Sequence, residues 1–244
     1  MNPPRAWYER RGSGPPLALL PGGPGLASDY LEPVADLLSD VFDVILIDPP
    51  GCGRTPAAES ADVATLIEAI DQVRAGLALD RWCVGGHSFG ADLALAYAVE
   101  RPRQTSGVVA ISATGVQDDR DWHRAYETGL AAGRDQIATS AFPVSPQMHS
   151  AVLASWRRYI KQPHLLRRLA SLPAPYLAIS GSEDVRPSWP VEQLVRLLPG
   201  GELVVIDGAG HCPWWTHGAE LREAVSRLGE PDQASLGGGS QPVR

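Results

Sequence analysis

Short, wholly apolar runs that stop at loops constrain this chain more than any other feature. They occupy residues 17–20, 44–47, 82–85, 108–111, 176–179 and 203–206. Runs of four with no polar position suit strands buried on both faces, as in a parallel sheet. A further strand is expected at 5–10, closed by the turn signal Gly12-Ser13-Gly14-Pro15-Pro16. Between the runs lie helical patterns, such as Leu66, Ile70, Val73 and Leu77 within 61–77. Helices are also expected at 191–198, at 219–228, and up to Leu38 from a cap at Ser28 or Asp29. Strands alternating with helices predict an α/β fold: a doubly wound, mostly parallel sheet.

One interval breaks the alternation. Residues 115–172 hold no convincing strand, and the stretch is too long for a plain connection. A small helical cap is expected there, over the strand ends where open α/β sheets bind ligands. The core is then one discontinuous domain, 1–114 and 173–228, with 229–244 as a linker-like tail containing Gly237-Gly238-Gly239-Ser240.

Bulk properties exclude several roles. With 21 Lys+Arg against 28 Asp+Glu, the net charge is −7, and there is no basic block for nucleic acid. Residues 1–8 do not resemble a signal peptide, and no apolar run approaches membrane-spanning length. Cys52, Cys83 and Cys212 have no metal-type spacing, and their odd number argues against a disulfide framework. A cytoplasmic protein is expected, acting on a small molecule or short peptide without metal or cofactor.

The chemistry centres on Gly86-His87-Ser88-Phe89-Gly90, between an apolar run and a helical one. G-x-S-x-G at a strand-to-helix turn holds a serine hydroxyl clear of the backbone, and the helix N-terminus favours negative charge there. A serine needs a histidine to take its proton and an acid to orient that histidine, in chain order Ser, Asp or Glu, His. Asp184 and His211 lie in loops just past the strands 176–179 and 203–206, at the same sheet edge as Ser88. Glu183 is a rival acid, and Asp207 is nearer His211 but better placed to anchor its turn. His87 reads as a packed partner beneath the turn, His217 as a surface or capping residue, and His123, His149 and His164 as cap residues.

Acyl transfer also needs N–H donors for the oxyanion. Phe89 follows the nucleophile and supplies one; Gly23, in Pro21-Gly22-Gly23-Pro24-Gly25 after the strand 17–20, is the choice for the second. Trp122, Trp156, Trp214 and Trp215 are candidates for an apolar pocket. Arg157, Arg158, Lys161, Arg167 and Arg168 either steer an acidic substrate or form a solvated face.

These motifs resemble the α/β-hydrolase superfamily, and within it the proline iminopeptidase group. That group's His-Gly-Gly-Pro-Gly loop is similar to residues 21–25, with Pro21 in place of the histidine. Its Asp-Gln-Arg-Gly-x-Gly-Arg-Ser segment resembles Asp48-Pro49-Pro50-Gly51-Cys52-Gly53-Arg54-Thr55. The resemblance covers roughly residues 8–112 and 175–228. It implies Ser88 as nucleophile, Asp184 as acid and His211 as base. The family cap is longer and supplies acids that hold a substrate's free amine, for which Asp118, Asp119, Asp121 and Glu127 are the candidates here. Trp122, Trp156 and Glu127 are thus the expected substrate contacts. A serine hydrolase is expected, specifically a proline iminopeptidase-like aminopeptidase, which the core favours. The short cap favours the alternative, a carboxylesterase of small acyl esters, and a non-catalytic binder on the same fold is the alternative of a different class.

Overall fold

The computed structural model describes residues 3–117, 120–133, 135 and 137–228. Asp118, Asp119 and the tail from residue 229 lie outside the described residues. Seven strands form one sheet: β1 (Trp7–Gly12), β2 (Pro16–Leu20), β3 (Asp43–Asp48), β4 (Trp82–His87), β5 (Thr105–Ile111), β6 (Tyr176–Gly181) and β7 (Gly201–Ile206). Their order is β1-β3-β2-β4-β5-β6-β7. β1 runs antiparallel to β3, and every other pairing is parallel. The α/β-hydrolase expectation is met, with β1 beginning and ending two residues later than the turn signals suggested.

Helices α1 (Glu32–Leu38), α2 (Val63–Gly76), α3 (Phe89–Glu100), α4 (Arg120–Ala131), α5 (Pro146–Tyr159), α6 (Leu165–Leu169), α7 (Trp189–Leu197) and α8 (Gly218–Ser226) flank and cover the sheet. Five of the fully apolar runs are central because both their faces are covered; the sixth, 203–206, lies in the edge strand β7, where Val205 is left 54% exposed. Ala18, Ile45, Val84, Val108 and Ala178 pack toward α2, α3 and α7, while Leu17, Leu19, Val44, Val109 and Leu177 pack toward α1 and α8. Neither Ser28 nor Asp29 caps α1. A short 3₁₀ turn at Ser28–Leu31 precedes it, and both side chains serve distant segments. Ser28 Oγ donates to Asp48 Oδ1 across 2.7 Å, and Asp29 Oδ2 accepts from the Ala141 N–H across 2.6 Å.

The insertion between β5 and β6 contains α4, α5 and α6. The last of these returns the chain to the start of β6, and Leu165, Leu169 and Leu172 join the same core cluster as α2 and α3. α5 is fastened to the body at both ends. Near its start, His149 Nδ1 donates to the Pro24 carbonyl across 2.7 Å; near its end, Ser155 Oγ accepts from the Val63 N–H and Tyr159 donates to Glu100. Among the described residues no helix is long and apolar enough to cross a membrane.

Candidate active site

β4 runs directly into α3, and Ser88 is the joint between them. Its backbone has φ 55° and ψ −127°, a conformation costing on the order of 1–3 kcal/mol in a non-glycine residue. The surroundings enforce it. The Ser88 N–H donates to the Ile111 carbonyl at 2.9 Å, and the Ala91 N–H returns to the Ser88 carbonyl at 2.9 Å. A Cβ on Gly86 would collide with the Gly90 backbone across the turn, and a Cβ on Gly90 would collide with the carbonyls of Leu20 and Pro21. Only glycine fits either place. His87 and Phe89 are buried while Ser88 is partly exposed, so the turn presents the hydroxyl alone.

Asp184 and His211 come from the loops after β6 and β7. His211 Nδ1 lies 2.6 Å from Asp184 Oδ2, with both side chains almost fully buried. Burial pushes the Asp184 carboxyl up, but the bond from His211 and the nearby Arg186 outweigh it and hold it below the usual carboxylate range. Ser88 and His211 both line a cavity of about 160 Å³ whose wall also includes Gly23 and Arg186. Of the rival acids, Glu183 makes its backbone bond to Ala209. Asp207 accepts from Ser182 Oγ at 3.1 Å, which serves the turn ahead of His211.

The two proposed oxyanion donors are available. Phe89 is the first residue of α3, where backbone N–H groups have no intrahelical partner. Gly22 cannot serve, because its N–H donates to Tyr30 Oη at 2.8 Å. The Gly23 N–H has no hydrogen bond among the described residues, and both Gly23 and Phe89 line a cleft of about 340 Å³ that Ser88 also lines. That volume falls in the range of small-molecule sites.

Beneath the turn lies a network that local sequence patterns do not show. The His87 ring sits between Tyr30 Oη, 3.0 Å from Nδ1, and the His211 carbonyl, 2.9 Å from Nε2. A carbonyl only accepts, so Nε2 carries the proton and Nδ1 accepts from Tyr30. Burial, then the neighbouring His211, hold the His87 pKa well below the ordinary imidazole range, consistent with a neutral ring. Trp214 closes the far side edge-on at 4.8 Å.

Arg186, two residues past Asp184, is the second such residue. It bonds Asp135 at 2.6 and 3.2 Å, Tyr126 Oη at 3.0 Å and Asp184 Oδ1 at 3.3 Å, and so ties the acid loop to α4. Trp122 reinforces the tie by donating to the Pro187 carbonyl at 3.1 Å. Asp92, buried in the first turn of α3, accepts from the Thr114 and Gly115 N–H groups where the insertion begins.

The expected substrate contacts divide. Trp122 and Trp156 line the cleft, and Trp156 packs edge-on against Phe89 at 5.8 Å between centroids. Glu127 is a correction: it stands exposed on α4 and is absent from the described cleft wall, because the turn toward the cleft belongs to Trp122, His123 and Tyr126. Asp121 is likewise exposed, beside Arg124. Trp214 packs against His87 and Trp215 is 51% exposed, so neither lines the cleft. His217 holds the first position before α8 but makes no side-chain cap bond. The Asp48–Arg54 segment proves structural: Asp48 is fully buried and accepts from Arg54 and Ser28, which pins the loop beside residues 21–25. Among the described residues no cluster of His, Cys, Asp or Glu has the arrangement to hold a metal.

Comparison with known proteins agrees with this architecture. A family model described as the alpha/beta hydrolase fold matches residues 15–134. A proline iminopeptidase of Xylella fastidiosa is 39% identical over 111 residues, 43% of this chain and 35% of its own length. One from Neisseria gonorrhoeae is 36% identical over 113 residues, 42% of this chain and 34% of its own length. The chain thus matches about a third of the length of these curated relatives. Among solved structures, an esterase from Thermogutta terrifontis with malate bound superposes with a TM-score of 0.75 at 21% identity, covering 92% of this chain and 94% of the other. A Mycobacterium smegmatis proline iminopeptidase gives 0.70 at 20% identity with the same coverages. The chain has the α/β-hydrolase fold, and its sequence is similar to that of the proline iminopeptidase group over the part that matches.

Proposed function

We propose that the protein is a serine hydrolase of small carboxylic esters. Ser88 Oγ attacks the ester carbonyl while His211 takes its proton. Asp184, paired to the other ring nitrogen, holds the imidazole in place and stabilises its charged form. The N–H groups of Gly23 and Phe89 receive the oxyanion. His211 then protonates the departing alcohol, and water, activated by His211, releases the acid from Ser88. The observation that carries this reading is the buried Asp184–His211 pair beside a serine held at φ 55° in a shared cavity.

The ester is favoured over a peptide by the wall of the larger cleft. Its apolar members Leu153, Trp156 and Ile160 suit an acyl chain, and the guanidinium of Arg157 on the same wall opposes a substrate's free amine. The second reading, an aminopeptidase, has the sequence matches to proline iminopeptidases on its side. A panel of 4-nitrophenyl esters of increasing acyl length against proline 4-nitroanilide separates the two. Ester turnover is expected, abolished by Ser88→Ala and by His211→Ala in folded protein. Turnover of the anilide alone would overturn the esterase. Failure of native Ser88 to react with a fluorophosphonate would leave a non-catalytic binder. Three buried, free cysteines accord with a reducing, cytoplasmic setting, which is part of the proposal.

A further inference from the structure

α5 turns one stripe toward the larger cleft. His149, Leu153, Arg157 and Ile160 line it at steps of four, four and three, the spacing of neighbours on a helix face, with Trp156 beside them. Arg158, one position on, is not part of the wall. Arg157 therefore stands on the cleft side of the helix, with its side chain exposed.

Arg157 is also uncompensated. It has no ion pair or hydrogen bond among the described residues. The other guanidinium in the wall, Arg186, is already matched by Asp135 and Asp184. The rest of the stripe is mostly apolar: Leu153, Trp156 and Ile160 share the wall with Phe89 and Ser88, and Trp156 packs on Phe89. An exposed, unpaired cation stands on the cleft wall together with the proposed nucleophile, and apolar side chains share that wall.

We propose that the substrates are esters of acids carrying a second, distal carboxylate, with Arg157 as the anchor of that carboxylate. The inference rests on the hydrolase reading of Ser88. A guanidinium offers a planar fork that matches a carboxylate's two oxygens, and the apolar stripe suits the methylene chain between the two ends. In the reaction the bond between the proximal carbonyl carbon and the alcohol oxygen breaks, and water supplies the OH and H of the products. The distal carboxylate stays ionised throughout and takes no part in bond making.

Mono-4-nitrophenyl esters of adipic and pimelic acids test this against the same esters with the distal acid methylated. These chains are long enough to avoid self-cleavage by the free acid. The native protein is expected to prefer the free acids at least tenfold in kcat/KM, through KM. Arg157→Gln should bring the ratio toward one, and Arg157→Glu should reverse it, with thermal melting confirming the fold of each. An unchanged ratio in Arg157→Gln overturns the inference. Binding provides a readout independent of turnover: monomethyl adipate titrated into Ser88→Ala protein, followed by the fluorescence of Trp122 and Trp156. Saturable binding that weakens at least tenfold in Ser88→Ala/Arg157→Gln supports the anchor, and equal affinity in the two proteins overturns it. Loss of all ester turnover and of fluorophosphonate labelling with that binding difference intact would instead overturn the hydrolase reading and leave the anchor standing.

Discussion

His87 Nε2 donates to the main-chain carbonyl of His211 across 2.9 Å, so the residue before the proposed nucleophile holds the backbone of the proposed base. Through Tyr30 the same ring reaches the Gly22 N–H, on the loop that carries the proposed oxyanion donor Gly23. One buried chain of bonds therefore spans three loops that no local sequence pattern connects.

Tyr30→Phe cuts that chain in the middle with little change of volume. The Gly22 N–H and His87 Nδ1 both lose their partner, at a cost of about 1–3 kcal/mol. The turnover number is expected to fall about tenfold or more, because small misplacements of reacting groups are costly. Urea unfolding and single-turnover kinetics measure the two effects. Native values for both would mean that the network plays no positioning part.

Asp184→Asn leaves the shape of the acid loop but presents an amide to His211. With the wrong group opposite Nδ1, the imidazole no longer holds the tautomer needed at its other nitrogen. Ester turnover should drop by about 10⁴-fold, the scale of that change in a serine protease, with little change in melting temperature. A smaller loss than tenfold would move the acid's role to Glu183 or Asp207.

Strand positions, and the collection of Ser88, Asp184 and His211 at one sheet edge, were readable from sequence because each depends on a short stretch: an apolar run and the loop that ends it. The network of Tyr30 and His87 was not, since its bonds join residues 57 and 124 positions apart. Arg186 was equally hidden, because its importance comes from Asp135 and Tyr126 on the insertion. Glu127 failed for a related reason. Composition places a charge on a helix, but only packing decides which side of the helix meets the cleft. Phe89 and Gly23 are proposed as donors from the turn and loop patterns, while Ser28 looked like a helix cap and turned out to serve Asp48.

Arg186→Met should test how firmly the insertion holds the acid loop. The substitution leaves Asp135, whose side chain is 5% exposed, without its partner, and breaking such a pair costs about 3–5 kcal/mol. Asp135→Asn in the same chain should recover much of that loss by removing the stranded charge. Denaturation midpoints of the single and double variants decide it, and strictly additive losses would count against the coupling.

Asp92 sets a pH dependence of stability. Burial raises its pKa to about 7, against bonds from Thr114 and Gly115 that pull it down. Between the ordinary carboxylate value near 4 and about 7, the folded protein holds a proton that the unfolded chain has released. Its contribution is therefore full at low pH and is lost as pH rises through about 7. His87 works in the opposite sense. Its imidazole stays neutral in the fold, so stability is lost as pH falls below about 6.5, where the unfolded chain takes up a proton. Asp92→Asn should remove the first slope and keep the second. Stability curves of native protein and variant with the same pH slope would contradict this.

Gly90→Ala should be among the most damaging single methyl groups in the chain. The added carbon meets the Leu20 and Pro21 carbonyls, which belong to β2 and the oxyanion loop and have no room to yield. A loss of about 1–3 kcal/mol, or failure to fold, is expected from such overpacking. Gly76, which has nothing within 4 Å of an added Cβ, is the control that should tolerate alanine.

α5 also bears on how this protein can change over evolutionary time. Val152 and Tyr159 belong to the main core, Leu153 and Arg157 face the cleft, and Trp156 and Ile160 do both. Substitutions at 153 and 157 can therefore retune what enters the site while the chain keeps its thermodynamic reserve. Substitutions at 152, 156 and 159 draw that reserve down at once. New substrate ranges are accessible along one stripe of a single helix, one residue at a time, through intermediates that still fold.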